Sequence, residues 1–172
     1  MNEYLTSQET QRLIIRPLND GDVNSWEAFL SDGSPFRYYP KTMTIDKNTA
    51  KDWVDRQIRR YEKDGFGLMA LECKETGQLV GQCGLIRQQV DGKDELEIGY
   101  HIIEEYRTKG YASEAAQYFK QFAFEQLEVK SVISIIHPDN VASQMVASRN
   151  GMIKEKTTIW NEMKSFVYRA IR

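Results

Sequence analysis

The chain has few of the residues that build disulfide frameworks, metal sites or membrane spans. Its 172 residues include two cysteines and two histidines, and Cys73 and Cys83 form no Cys-x-x-Cys pair. We therefore expect reduced, buried thiols and no bound metal. No apolar run approaches the ~18 residues of a membrane helix, and residues 1–6 lack a basic segment followed by an apolar one. These absences predict a cytoplasmic protein without a membrane partner.

The sequence also lacks an excess of charge of one sign. Lysine and arginine number 23, aspartate and glutamate number 25, and the formal net charge is −2. Proteins that bind nucleic acid usually carry a basic face, so no nucleic-acid partner is expected. The 41% apolar composition is ordinary for a globular chain, and no repeat or low-complexity block is present. For this length we expect a single domain over residues 1–172.

Two familiar phosphate-binding patterns are missing, since the chain contains neither Gly-x-x-x-x-Gly-Lys-Ser/Thr nor Gly-x-Gly-x-x-Gly. It does contain an Arg-x-x-Gly-x-Ala run at 107–112, between a strand pattern at 97–102 and a helical pattern that begins at Ser113. Gly110 permits an unusual φ and a close approach of the backbone, and small Ala112 keeps the next approach open. The free N–H groups of the first helical turn favour an anion. The run therefore predicts a pyrophosphate site.

Hydrophobic periodicity divides the chain into short strands and helices. Strands are expected at 12–18, 66–74, 78–86, 95–102, 131–136, 152–160 and 164–171. Helices are expected after Asn19 or Asp20, from Asp46 to Gly65, from Ser113 to Leu127, and from Asn140 to Asn150. The order β-α-α-β-β-β-α-β-α-β-β contains antiparallel hairpins and one crossover helix. It predicts an α/β fold whose mixed sheet contains one parallel strand pair.

One carboxylate lies in the middle of a predicted strand. Alternation places Glu97, Gly99 and His101 on one face of the strand, and the mostly apolar Leu96, Ile98, Tyr100 and Ile102 on the other. From the strand alone, the favoured interpretation of Glu97 is an ion pair at the sheet surface. The alternative is a general base at the open end of a cleft.

Two other groups of residues have a structural and a functional interpretation. Phe36, Tyr38 and Tyr39 lie in a Gly- and Pro-containing loop at 31–44, where core or lid packing is favoured over the wall of an acceptor pocket. The second predicted helix carries a charged face, for which solvation is favoured over a role in substrate binding. That face comprises Lys51, Asp52, Arg56, Arg59, Arg60 and Lys63.

Three segments resemble the GCN5-related N-acetyltransferase (GNAT) family. The 107–112 run resembles the Gln/Arg-x-x-Gly-x-Gly/Ala motif of that family. Residues 9–17 and 140–152 resemble the opening and the later Asn-x-x-Ser … Gly-Phe segment of the branch that includes ribosomal-protein N-terminal acetyltransferases, with Met152 in place of Phe. The resemblance implies a mostly antiparallel sheet with a splayed parallel pair, flanked by about four helices. It also implies acetyl-CoA as cosubstrate.

The resemblance assigns residues to the cosubstrate. The pyrophosphate would be held by Arg107, Thr108, Lys109, Gly110, Tyr111 and Ala112, mainly through main-chain N–H groups. His101, Ile102 and Ile103 would lie along the cosubstrate, with a backbone N–H near Ile102 or Ile103 polarising the thioester carbonyl. Asn140 would bind the pantetheine arm or its neighbouring backbone, although an ordinary helix N-cap explains the same residue.

Two residues are implied in proton transfer. Glu97 matches the general base of the histone acetyltransferase branch, so the resemblance reverses the surface interpretation of this carboxylate. Many relatives place a tyrosine proton donor where this chain has Ala147. Ser143 matches the proposed proton donor of the ribosomal-protein branch, and it could equally be a cap or a packing residue.

The acceptor implied first is a protein or peptide α-amine. A small amine such as a polyamine, amino sugar, amino acid or aminoglycoside is the second possibility, and a non-catalytic CoA-binding module is the third. An acidic funnel beside the 31–44 loop would favour a polyamine, and a long open groove would favour a peptide. A nucleotide-binding module would lack a Walker lysine here. The chain is expected to be a monomer, or a homodimer that pairs through the closing hairpin.

Overall fold

The computed structural model describes residues 2–31, 33, 35–39 and 44–172. The eight strands of its sheet are β1 (Gln8–Glu9), β2 (Leu13–Arg16), β3 (Leu68–Cys73), β4 (Leu79–Val90), β5 (Lys93–Ile102), β6 (Ser131–Ile136), β7 (Ile153–Trp160) and β8 (Met163–Ile171). The α-helices in these residues are α1 (Val23–Ser31), α2 (Thr49–Asp64), α3 (Tyr111–Glu125) and α4 (Val141–Arg149). The predicted α/β class, with about four helices, is confirmed.

The strand order is β1-β2-β3-β4-β5-β6-β8-β7. Neighbouring strands are antiparallel except β5 and β6, which are parallel, as the crossover helix predicted. Within the described residues, β5 and β6 are paired only through Glu97 and Ile133. Farther along, β5 stays paired with β4 as far as Ile102, and β6 stays paired with β8 as far as Ile136. The two strands therefore separate beyond Glu97 and leave a gap in the sheet.

Helices cover both faces of the central strands. On one face, α3 buries Phe119 in a cluster that includes Ile98 of β5. On the other face, α1 and α2 bury Trp26 and Trp53 in a cluster that includes Ile86 of β4. Each fully buried side chain of this size stabilises the fold by roughly 1.5–3 kcal/mol. Because both faces are covered, Glu97 in the middle of β5 is buried.

Helix boundaries differ from the predicted ones by a few residues. Helix α2 begins at Thr49 instead of Asp46, because the Asp46 carboxylate accepts hydrogen bonds from the Asn48 N–H (2.8 Å) and the Thr49 hydroxyl (3.2 Å) in a preceding turn. Gly65, at φ 78°, ends this helix as predicted. Helix α3 begins two residues before Ser113. No helix in the described ranges is both long and apolar enough to cross a membrane.

Most strand boundaries differ by one or two residues, and the two larger differences concern β4 and β1. Strand β4 continues to Val90, beyond the predicted end at Ile86, because it pairs with β5 along its whole length to the Asp91-Gly92 turn. The two-residue strand β1 was not predicted, since two residues carry no alternation. In the loop at 31–44, residues Asp32, Ser34 and 40–43 lie outside the described residues.

Candidate active site

A cleft of about 900 Å³ occupies the gap between β5 and β6, and residues from both faces of the sheet line it. Helix α2 and the 3-10 helix Pro35–Tyr38 contribute from one face, whereas α3 and α4 contribute from the other. The predicted site residues that line this cleft are Glu97, His101, Ile102, Arg107, Thr108, Gly110, Tyr111, Ala112, Asn140 and Ser143. Ile103 and Lys109 do not line it.

The anion loop, residues 107–112, has a backbone shaped for a ligand. Thr108 and Gly110 both have left-handed conformations, with φ of 61° and 87°. For a β-branched threonine this conformation is strained, which is typical of a functional segment. No side chain caps the first turn of α3, and the buried Ser113 Oγ has no hydrogen-bond partner in the described structure. These free donors at a helix N-terminus fit a pyrophosphate.

Arg12, the residue immediately before β2, holds this loop, and its contacts are called the brace here. Arg12 Nε lies 2.7 Å from a carboxylate oxygen of Glu114, and Arg12 Nη1 donates to the Lys109 carbonyl oxygen at 2.8 Å. The same guanidinium lies over the Tyr111 ring, 4.8 Å from its centroid. Burial would raise the pKa of Glu114, but hydrogen bonds from Thr10 and Arg12 hold it below the usual value. The sequence analysis did not predict these contacts of Arg12, although residues 9–17 supplied part of the family resemblance.

Lys109 contributes its main chain to the brace, while its side chain lies elsewhere. The Lys109 ammonium lies 5.2 Å from the centroid of the Tyr106 ring. Arg107 Nε donates to the Ile102 carbonyl oxygen at 3.0 Å. The arginine side chain therefore connects the anion loop to the end of β5.

Two backbone N–H groups, those of Ile102 and Ile103, were predicted to polarise the thioester carbonyl, and one of them is available. The Ile103 N–H donates to the Val80 carbonyl oxygen at 3.0 Å, and the Ile103 side chain is buried away from the cleft. Ile103 is therefore not an available donor, and that part of the prediction is wrong. Successive N–H groups of a strand point to opposite edges, so the Ile102 N–H faces the gap instead.

Glu97 is buried at the point where β5 and β6 separate. Gln88 Nε2 donates to its carboxylate at 2.7 Å, and a backbone N–H from Ile135 also reaches it. Burial raises its pKa, and the donors and the positive charge of Arg60 offset this only in part. No lysine or arginine of the described ranges forms an ion pair with it. The surface ion-pair interpretation is therefore wrong, and the environment resembles that of a base.

His101 lies on the same face of β5 as Glu97. Its Nδ1 is 3.0 Å from the Tyr39 hydroxyl, and aromatic rings of α1 and α2 surround the imidazole. Burial, together with the nearby charge of Arg60, lowers the pKa of His101 to about 4, so the ring is neutral at pH 7. The predicted cosubstrate residue thus lies in the wall of the cleft that α1 and α2 form.

Ser143 and Tyr100 form a hydrogen-bonded pair on the opposite face. Ser143 Oγ donates to the Tyr100 hydroxyl oxygen at 3.1 Å, and the Tyr100 hydroxyl donates to the Ser143 carbonyl oxygen at 2.8 Å. Asn140 Oδ1 accepts the Ser143 N–H at 3.1 Å, so Asn140 is the N-cap of α4. Burial raises the pKa of Tyr100. Sequence reasoning missed Tyr100, because strand alternation placed it among apolar residues.

The aromatic loop has both of its proposed roles. Phe36 packs against Phe29, with ring centroids 6.0 Å apart, as core packing predicted. Tyr39 packs against the same cluster, with its ring centroid 5.5 Å from that of Phe36, and it also lines the cleft. Tyr38 lines the cleft. The preference for packing is therefore confirmed for Phe36 and Tyr39, whereas Tyr38 lies in the cleft wall.

The charged face of α2 is likewise only partly a solvated surface. Lys51 forms an exposed ion pair with Asp55, at 2.9 Å. Arg56 and Arg60, in contrast, line the cleft on the same face as Glu97. Arg56 is nevertheless exposed, as the solvated interpretation predicts, whereas Arg60 is partly buried, so that interpretation is wrong for Arg60.

The described residues contain no group of three or more histidine, cysteine or acidic side chains arranged to hold a metal ion. Cys73 and Cys83 are both buried and form no disulfide.

Comparison with known proteins identifies the family to which the chain belongs. A family model described as an acetyltransferase (GNAT) domain matches residues 12–153, and the chain belongs to the GNAT acetyltransferase family. It is 32% identical to the uncharacterized protein YkkB of Bacillus subtilis over 159 residues, which are 91% of each chain.

Solved structures show the same fold. An acetyltransferase from Agrobacterium tumefaciens superposes with a TM-score of 0.82 at 24% identity, covering 97% of this chain and 95% of that one. RimL, a ribosomal-protein α-N-acetyltransferase in complex with coenzyme A, superposes with a TM-score of 0.76 at 17% identity, covering 94% and 95%.

Proposed function

We propose that the protein transfers the acetyl group of acetyl-CoA to a primary amine, with a protein or peptide α-amine as the first acceptor class. One observation carries this proposal: the cleft joins the anion loop to a buried carboxylate, Glu97, whose pKa is raised. The similarity to RimL, which is named for transfer to a protein α-amine, supports the acceptor class.

The acceptor must lose a proton before it can react. At pH 7, freeing the lone pair of a lysine-like amine costs roughly 4–5 kcal/mol, whereas an α-amine costs about 1 kcal/mol. A carboxylate with a raised pKa accepts this proton more readily than an ordinary glutamate does. Glu97 is the only carboxylate among the described residues that line the cleft, so we assign it the role of general base.

Acetyl-CoA supplies an activated acyl carbon and a thiol leaving group. Main-chain N–H groups of residues 108–113 and the Ser113 hydroxyl would hold the pyrophosphate, and the Asn140 side-chain amide would face the pantetheine arm. The Ile102 N–H would stabilise negative charge on the carbonyl oxygen, a contribution often worth ~3 kcal/mol. Each of these groups lies in the anion loop, at the α3 N-terminus or at the edges of the gap.

The two proton-transfer sites lie on opposite faces of the sheet. Glu97 shares the α2 face with Arg60 and His101, whereas Ser143 and Tyr100 lie on the α4 face. In this arrangement Glu97 takes a proton from the amine at one mouth of the gap. The Ser143 hydroxyl, hydrogen-bonded to Tyr100, returns a proton to the thiolate at the other mouth.

An acceptor screen tests the proposal. We expect acetyl-CoA-dependent release of free thiol in the presence of α-amine peptides or small amines, with mass spectrometry locating the acetyl group on nitrogen. Binding of acetyl-CoA without thiol release from any amine would contradict the enzymatic proposal, and would favour a non-catalytic CoA-binding module.

A further inference from the structure

The charged side chains around the cleft are mostly cationic. Among the described lining residues, Glu97 is the single carboxylate, whereas five arginines are present, namely Arg37, Arg56, Arg60, Arg107 and Arg149. The whole chain has slightly more acidic than basic residues, so this excess is local. Arg107 belongs to the anion loop and Arg149 to α4. Arg56 and Arg60 lie on α2, beside Glu97. They are not part of the anion loop that would bind a pyrophosphate.

These two α2 arginines have no acidic partner. Within the described residues, no carboxylate lies at ion-pair distance from either guanidinium. Neighbours hold them in place instead: Arg60 Nη1 donates to Gln57 Oε1 at 3.0 Å, and Arg56 lies over the Trp53 ring, 5.6 Å from its centroid. Gln57 is itself buried and accepts a second hydrogen bond from the Leu68 N–H at 3.1 Å. The Arg60 guanidinium is therefore held by a buried partner, whereas Arg56 is exposed and is held only by its contact with the Trp53 ring.

The positive charge of Arg60 is only partly compensated by the protein's own carboxylates. Burial and the nearby positive charge of Arg56 lower the pKa of Arg60, and the charges of Glu97 and Asp64 offset this only in part. The charge of Arg60 in turn acts on Glu97 and on His101, so Arg60 lies close to the proposed base. Two like charges at the edge of a partly apolar cleft repel each other, and an anion bound between them would relieve this repulsion.

We propose that the acceptor carries a carboxylate close to its amino group, and that Arg56 and Arg60 bind this carboxylate while the amine faces Glu97. This inference rests on the proposed function of the same site. Planar guanidinium groups bind carboxylates with paired hydrogen bonds, which would also orient the amine. The carboxylate comes either from a free amino acid or from an acidic side chain next to a peptide N-terminus. Polyamines and aminoglycosides are disfavoured, because their charge repels these arginines.

Matched acceptors test the proposal. One pair is an amidated peptide that begins Ser-Asp and the same peptide that begins Ser-Asn; the other pair is a free amino acid and its primary amide. Initial rates of thiol release are measured for the native protein and for Arg56→Gln, Arg60→Gln and Arg59→Gln. Arg59 is an exposed arginine of the same helix that does not line the cleft, so its variant is the control.

In at least one pair, we expect the carboxylate-bearing acceptor to have a kcat/KM roughly tenfold or more higher, mainly through a lower KM. The ratio within the pair is expected to collapse toward one in Arg56→Gln and Arg60→Gln and to persist in Arg59→Gln. A general loss of fold would lower both rates and leave the ratio unchanged. The pair that shows the preference identifies the source of the carboxylate.

Equal rates within both pairs, or a preference that survives Arg60→Gln, would overturn the inference and leave the proposed function standing. Absence of turnover with every acceptor would count against the proposed function. In that case, a binding measurement tests whether Arg56 and Arg60 bind the carboxylate. N-acetylated forms of the four acceptors are titrated in the presence of coenzyme A. A carboxylate preference that Arg60→Gln abolishes supports the inference, and the absence of such a preference overturns it.

Discussion

Opposing influences determine the pKa of Glu97, as expected for a general base. Burial disfavours its charged form, while Gln88, the Ile135 N–H and the charge of Arg60 keep that form accessible. Because its pKa is raised above the usual glutamate value, the base is lost by protonation at a higher pH than an exposed glutamate would be. We therefore expect kcat/KM to fall as the pH is lowered through this raised pKa.

Replacement of Glu97 by Gln tests this assignment. We expect a loss of roughly 10²–10⁴-fold in kcat/KM, since the transfer then lacks its base, and disappearance of the acidic limb of the pH profile. Stabilisation by acetyl-CoA is expected to remain. Glu95→Gln is the matched control, because Glu95 lies on the same strand but pairs with Arg169 at 2.7 Å, outside the cleft. An unchanged pH profile in Glu97→Gln would exclude Glu97 as the base.

The Ser143 and Tyr100 hydroxyls are expected to act together in proton donation. Because the two groups are hydrogen-bonded, Ser143→Ala and Tyr100→Phe should each lower kcat by roughly 10–100-fold, with little change in the KM for acetyl-CoA. The double variant is expected to lose no more than the worse single variant. Steady-state kinetics of the three proteins provide the test. Fully additive losses would show that the two hydroxyls do not form one donor unit.

At the scale of elements, the brace formed by Arg12 determines how firmly the anion loop is held. Arg12→Ala removes the hydrogen bond to the Lys109 carbonyl and the ion pair with Glu114. We expect acetyl-CoA to bind about tenfold more weakly, because a disordered loop must be ordered on binding. Titration calorimetry gives this affinity.

Arg16→Ala is the control for the brace. Arg16 lies four residues after Arg12, in β2, and forms ion pairs with Asp22 at 2.8 Å and Glu72 at 3.1 Å, but it does not line the cleft. Its loss should reduce stability and leave the affinity for acetyl-CoA unchanged. Equal losses of affinity in both variants would contradict a specific role of Arg12.

The elements differ in how far the sequence could predict them. The anion loop was predictable because Gly110 and a helix start carry their own local signal, and the left-handed φ of Gly110 agrees with it. The brace depends on Arg12 meeting Glu114 across distant parts of the chain, which periodicity does not report. The position of Arg60 opposite Glu97 depends in the same way on how α2 packs on the sheet. Local geometry was therefore predicted, and long-range charge pairing was not.

At the scale of the whole molecule, strand β7 is an unpaired edge of the sheet. Ile153 and Ile159 on this strand are 75% and 70% exposed. Exposed apolar edge strands tend to pair with another chain, so the homodimer through the closing hairpin stays a prediction. Light scattering should give about twice the 20.0 kDa of one chain, and Ile159→Lys should return the monomer mass. A monomer mass for the native protein would exclude this dimer.

The central claim is that the anion loop binds acetyl-CoA. Thermal unfolding of three proteins tests it: the native chain, Gly110→Glu and Gly77→Glu. Both glycines have a positive φ, 87° and 68°, so both substitutions strain the backbone, but Gly77 lies outside the cleft and has no atom within 4 Å of an added Cβ. Each variant is expected to unfold at a lower temperature than the native chain without ligand.

Acetyl-CoA at ~100 times its dissociation constant adds about 2.7 kcal/mol of stability, which corresponds to a rise of roughly 5–10 °C for a chain of this length. We expect that rise in the native protein and in Gly77→Glu, and its absence in Gly110→Glu. No rise in the native protein at saturating acetyl-CoA, or an equal rise in Gly110→Glu, would contradict the assignment of this loop.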